Sequence, residues 1–135
     1  MYLFDTDVLS QIAKKRRPDA LMTMLARTPL ASQFTSSVNA AEIYYGIFRM
    51  GGRESLFRFF EDQVFPQLTI LPFDHECALI YGRLKSGLEQ TGRPRFEPDL
   101  QIAAIALRHR LIVVTGNLRH FAGIPGLKVE NWLAS

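Results

Sequence analysis

Apolar residues recur along this chain in two rhythms, short unbroken runs and longer stretches at helical spacing, and their alternation predicts strands and helices in turn. Tyr2-Leu3-Phe4 reads as a strand ending at Asp5, and Val8, Leu9, Ile12 and Ala13 as the helix that follows. Lys14-Lys15-Arg16-Arg17-Pro18 halts that helix, and Asp19 begins another through Leu21, Met22 and Leu25, ending near Thr28-Pro29. Ala31 to Thr35 predicts a second strand, and Ser36-Ser37 leads into a helix from Val38 to Met50 closed by Gly51-Gly52. Leu56, Phe57, Phe59, Phe60 and Val64 form an apolar helical stripe, Leu68 to Leu71 a strand, and Asp74 caps a helix reaching Gln90. After the basic loop Thr91-Gly92-Arg93-Pro94-Arg95, Pro98-Asp99 opens a helix carrying Ile102, Ala103, Ile105, Ala106 and Leu107. Leu111 to Val114 is continuously apolar, as a central strand buried on both faces requires, and Leu127-Lys128-Val129 predicts a last strand at an edge.

Strands alternating with helices imply a parallel sheet with right-handed crossovers and helices on both faces. In such sheets loops converge at the carboxyl edge, so the polar residues that follow apolar strands, Asp5 and Thr115-Gly116-Asn117, are the first places to look for chemistry. At 135 residues the chain has room for a single domain spanning 1–135, and 47% hydrophobic with 21% charged residues excludes a disordered polyampholyte. One cysteine, Cys77, excludes an internal disulfide and a Cys-rich metal site and favours a reducing, cytoplasmic setting. Acid near the start argues against a secretion signal, and charged residues or proline interrupt every apolar stretch before membrane-spanning length. A net charge of +3 suits a polyanionic partner.

Four residues stand out as chemistry: Asp5, Glu42, Asp99 and Asn117. Each also has a structural use. Asp5 or Asp7 suits a helix cap; Glu42 closes a capping-box variant in Asn39-Ala40-Ala41-Glu42; Asp99 favours a helix dipole; Asn117 beside Gly116 suits a turn. Glu42 and Asp99, however, lie among residues that otherwise read as buried. Acids gathered at one sheet edge repel one another, so several staying ionised implies a cation among them. Oxygen ligands without His or Cys select Mg²⁺ or Mn²⁺ over zinc, and such sites commonly serve phosphate chemistry.

The segments Phe4-Asp5-Thr6-Asp7-Val8-Leu9, Ser36-Ser37 with Ala41-Glu42 and Gly46, Pro98-Asp99-Leu100-Gln101-Ile102-Ala103-Ala104, and Val114-Thr115-Gly116-Asn117 together resemble the PIN-domain ribonucleases. More narrowly, with His120-Phe121, Ile124-Pro125-Gly126-Leu127 and Glu130-Asn131-Trp132, the chain is similar to the VapC toxins of bacterial type II toxin-antitoxin modules. The resemblance implies a three-layer α/β/α sandwich around a mostly parallel sheet of four to five strands. It also implies a Mg²⁺- or Mn²⁺-dependent endoribonuclease, a homodimer, and silencing by a cognate antitoxin. Asp5 and Asp99 match the family's metal-binding aspartates, Glu42 its intervening acid, and Asn117 the polar residue after the last core strand; Thr6 and Thr115 match supporting hydroxyls. Many relatives place Asp where Asn117 stands, or an acid where His120 stands, and this departure weakens a second-metal position.

RNA is expected to be drawn in by Arg93, Arg95 and Arg119, and by Lys14 to Arg17 where those residues are more than a solvated face. Phe96 is expected in the core, with base stacking as its alternative use. Trp132 is expected to anchor the tail, and exposed apolar positions on the helices that contain Leu21, Leu25, Ile43 or Phe57 to offer a dimer contact. Two other readings of the whole chain stand beside the nuclease: a weakly catalytic binding module of the same fold, and an aspartate-nucleophile phosphatase built on Asp5-Thr6-Asp7-Val8.

Overall fold

The structure is a computed structural model that describes residues 1–95 and 97–134. Among these residues five short strands form one parallel sheet: β1 (Tyr2–Phe4), β2 (Gln33–Ser36), β3 (Thr69–Leu71), β4 (Ile112–Val114) and β5 (Val129–Glu130), in the order β3-β2-β1-β4-β5. The chain steps outward from β1 through β2 to β3, then returns to lay β4 on the other side of β1. The strand order therefore reverses between β1 and β4.

The register explains the two cores. Leu3 pairs with Val113 and Phe4 with Val114, and successive side chains of a strand point to opposite faces. Leu3 and Val113 accordingly join Leu100, Ile102, Ala103, Ile105 and Ala106 of α6 (Glu97–His109) and Cys77 and Leu88 of α5 (His75–Gln90). Phe4 and Val114 join Val8 and Leu9 of α1 (Thr6–Ile12), Leu21 of α2 (Asp19–Arg27), and Ala40, Ile43 and Ile47 of α3 (Ser37–Arg49). The result is the expected three-layer sandwich.

Local chemistry sets the element ends. Ser36 caps α3 by accepting from the Asn39 amide, and Asp74 caps α5 by accepting from Cys77. At the end of α3 the Gly52 amide returns to the Ile47 carbonyl, with Gly51 and Gly52 both at positive φ, a conformation that side chains resist. The second strand starts at Gln33, later than Ala31, because Leu30–Ser32 form a 3₁₀ turn. The aromatic stripe from Leu56 to Val64 is not one regular helix. It is α4 (Glu54–Phe59) followed by a π turn over Phe60–Val64, and Phe60, Val64 and Phe65 all reach the core. The apolar run of β4 is interior as expected, but the middle of the sheet belongs to β1. A final short helix, α7 (Leu118–Phe121), follows β4.

Leu21 and Ile43 are 0% and 6% exposed, and Leu25 and Phe57 pack against the same core. Their helical spacing records packing inside the subunit; the large apolar side chains exposed on α2 and α3 are Met22, Tyr45 and Phe48, at 47%, 67% and 59%. Trp132 does anchor the tail: it is buried edge-on against the Tyr2 and Phe4 rings, and its indole N–H donates to Glu130. Among the described residues no helix is long and apolar enough to cross a membrane.

Trp132→Ala should destabilise the fold by about 3 kcal/mol or more, the cost of emptying an aromatic site that cannot collapse. Urea unfolding followed by circular dichroism measures it, since the variant loses the sole tryptophan fluorophore. A loss under about 1 kcal/mol would mean that the tail packs without holding the sheet.

Candidate active site

The reversal of strand order opens a crevice at the carboxyl ends of β1 and β4, the place where parallel sheets leave loops free to diverge. Asp5 and Thr115 are the first residues past those two strands. The Asp5 amide extends the ladder by donating to the Val114 carbonyl at 2.9 Å. Its side chain then turns back to cap α1, Oδ1 accepting from the Thr6 amide at 2.8 Å. The capping use of Asp5 is thus real, and it leaves the other oxygen free for a second purpose: Oδ2 accepts from the Thr115 hydroxyl at 2.8 Å.

Asn39 ties this corner to α3. It is fully buried, its Oδ1 accepts from the Ser36 hydroxyl at 2.6 Å, and its Nδ2 donates to Asp5 Oδ1 at 3.0 Å and Thr6 Oγ1 at 3.1 Å. The Thr6 hydroxyl in turn donates to Glu42 Oε1 at 2.7 Å. Asn39 and Glu42 lie three residues apart and so share a helix face. Because Ser36 is the cap that precedes α3, the capping pair is Ser36 with Asn39. Glu42 belongs to no capping box and faces the crevice instead.

Asp99 enters from the first turn of α6, 8% exposed, with Oδ2 3.4 Å from Nδ1 of His120. Burial pushes its carboxyl up to about 6; His120 opposes the shift, and the Asp5 and Glu42 carboxylates add to it. Asp5 is likewise raised, first by burial, against the Thr115, Thr6 and Asn39 hydrogen bonds and with the help of Glu42. Asp7 is raised by burial and by Asp5. Asp5, Glu42 and Asp99, distant along the chain, therefore share one electrostatic environment.

The donor set fits a hard divalent cation in its chemistry: three carboxylates, hydroxyls and an amide, with no thiolate. Among the described residues, no three His, Cys, Asp or Glu side chains are already drawn together tightly enough to hold an ion. Each acid instead rests on a protein donor, Asp5 on Thr115 and Asn39, Glu42 on Thr6, and Asp99 on His120. Mutual repulsion favours that separation when no positive charge lies between them.

Asn117 is exposed at the head of α7. Its amide N–H donates to the Thr115 hydroxyl, and its side chain reaches Asp7 Oδ2 at 3.3 Å. Arg93 and Arg119 are exposed, while Arg95 donates to the Ala122 carbonyl and to carbonyls of its own loop. Lys14, Lys15 and Arg16 are exposed beyond α1. Phe96 lies outside the described residues. Sequence reasoning gave Asn39 a capping place and Asp7 a capping or motif place, and neither a role in the site. The Ser36-x-x-Asn39-x-x-Glu42 spacing would have revealed the first, but Asp7 meets its partners only through the fold.

A family model described as PIN domain matches residues 2–127. The chain is 33% identical over 132 residues to Ribonuclease VapC2 of Haemophilus influenzae, covering 98% of both. It is also 33% identical over 97 residues to the tRNA(fMet)-specific endonuclease VapC of Salmonella typhimurium, 72% of this chain and 73% of that protein. Among solved structures, DNA-bound VapBC from Salmonella typhimurium superposes with a TM-score of 0.87 at 27% identity, covering 97% of each chain.

The raised Asp99 carboxyl has a consequence for stability. An unfolded chain releases this proton near 3.8, the folded chain near about 6, so in that interval the native state holds more protons. The favourable contribution is complete below the lower value and is lost as pH rises through the upper one. Asp99→Asn in EDTA should therefore be more stable than the parent at about pH 7.5, by about 1 to 2 kcal/mol, and should decline less between about pH 4 and 6. Urea midpoints across that range measure the effect; parallel curves for the two proteins would refute it.

Proposed function

This chain belongs to the PIN domain family, and on that premise we propose that it is an endoribonuclease toxin of the VapC kind, dependent on Mg²⁺ or Mn²⁺ and neutralised by a cognate antitoxin. One observation carries the reading. Asp5 and Asp99, 7% and 8% exposed, and Glu42 act on one another's charge at the crevice where strand order reverses. Its curated relatives are ribonucleases by name over nearly its whole length, and VapBC complexes share its fold.

In this reading Asp5, Glu42 and Asp99 hold the ion. When bound, such an ion supplies a water of lowered pKa and screens charge that builds on the scissile phosphate. Thr115 and Asn39 fix the orientation of Asp5, so little reorganisation accompanies the reaction. The Thr6 hydroxyl takes one oxygen of Glu42, and we assign the other to orienting the attacking water and accepting its proton. Asn117 is assigned to a water or phosphate oxygen beside the crevice. Arg93, Arg95 and Arg119 are assigned to neutralise RNA phosphates, Arg95 from a position already pinned to Ala122. The partners assigned are RNA, an antitoxin and a second copy of this chain, in the cytoplasm.

Purified protein should cleave RNA with Mg²⁺ or Mn²⁺ and stop in EDTA. Asp5→Asn should lower the rate by about 10²-fold or more. It should leave the fold intact, because amide Oδ1 still accepts from Thr6 and the Thr115 hydroxyl can turn toward Asp7 Oδ1, 3.5 Å away. Gel-resolved cleavage with matched circular dichroism tests both. Full cleavage by a folded Asp5→Asn protein would refute the assignment, and parent protein that binds RNA without cutting would make the chain a binding module.

A further inference from the structure

Asp7, two residues beyond Asp5, lies in the first turn of α1, and its carboxylate shares the neighbourhood of Thr115 with Asp5. A carboxylate is acceptor-only and satisfied by converging donors; here those donors come from the loop after β4. Oδ2 accepts from the Gly116 backbone N–H at 2.8 Å and from the Asn117 side-chain amide at 3.3 Å, and Oδ1 lies 3.5 Å from the Thr115 hydroxyl. Three consecutive loop residues thus converge on one acid 108 to 110 positions earlier in the chain.

A Cβ at residue 116 would stand 2.8 Å from Asp7 Oδ2 and 2.8 Å from Leu133 Cδ1, so a side chain there would have to push the Asp7 carboxylate and the Leu133 methyl aside. Leu133 of the C-terminal tail, next to the buried Trp132, packs against the same loop. The same loop carries the hydroxyl that holds Asp5 Oδ2 and the amide assigned above to substrate or water.

We infer that Asp7 is a positioning residue, the post on α1 to which the Thr115–Asn117 loop is docked so that Thr115 meets Asp5 and Asn117 faces the crevice. The inference rests on the nuclease reading for its effect on turnover, but not for the docking itself. Asp7 acts through Asn117 and Thr115, since its Oδ2 is already taken by loop donors. It also gives the departure at residue 117 a physical sense: with an acid at 7, an amide at 117 is the partner that donates.

The test uses Asp7→Asn and Asp7→Ala. In Asp7→Asn one neutral acceptor faces both loop donors, and in Asp7→Ala none does. We expect kcat on RNA with Mn²⁺ to fall about tenfold in Asp7→Asn and further in Asp7→Ala, with KM within about twofold of the parent in both. By NMR the Gly116 amide proton should move upfield and exchange faster in both variants. An unchanged Gly116 amide in both would overturn the docking. A kcat equal to the parent's, or a rise in KM alone, would overturn the positioning role. If the parent cuts no RNA, the nuclease reading fails while the Gly116 amide still decides the docking.

Discussion

The fold and the site meet in one buried carboxylate. Asp5 extends the β1–β4 ladder with its amide, starts α1 with one oxygen, and accepts from Thr115 with the other, while Asn39 of the neighbouring α3 donates to it. Removing such a charge from water costs several kcal/mol, and hydrogen bonds to a charged group return about 1.5 to 3 kcal/mol each. An acid here is tolerable only because two strands and two helices end together and aim donors at one point. That is a constraint on topology as much as on sequence.

The sheet divides its polar and apolar residues along the strands. Leu3 and Val113 serve one core, Phe4 and Val114 the other, and at the next residue the chain becomes polar on both strands at once. Thr35 and Ser36 at the end of β2 and Asn39 beyond it are likewise buried and polar, with the Thr35 hydroxyl donating to the Phe4 carbonyl at 2.9 Å. The buried polar groups of this edge are therefore bonded to one another across elements. The edge is stiff, and stiffness is what oriented charge requires if it is to act on a substrate without first rearranging.

The same edge carries an electrostatic load. Asp5, Glu42, Asp7 and Asp99 press on one another, and burial and repulsion raise three of them. Of the basic groups around them, His120 is the one that offsets Asp99. A divalent cation would relieve that load, which ties the chemistry of the proposed nuclease to the energetics of its resting protein.

Much of this was legible in the chain. Tyr2 to Phe4, Leu111 to Val114, the Asp74 cap and the Gly51-Gly52 stop are local signals, and local sterics and hydrogen bonding decide them without help from distant residues. The chemistry of Asp5, Glu42 and Asp99 was legible too, because acids set among apolar residues contradict a solvated face. Other features follow only from the register and the return crossing. The hydrophobic periodicity of Leu21 and Ile43 shows that they are buried, but not whether a second subunit or the chain's own sheet buries them. The bridge from Asn39 to Asp5 and the hold of Asp7 on Gly116 join residues far apart in sequence. Periodicity measures which face a residue occupies; only the packed sheet decides which faces meet.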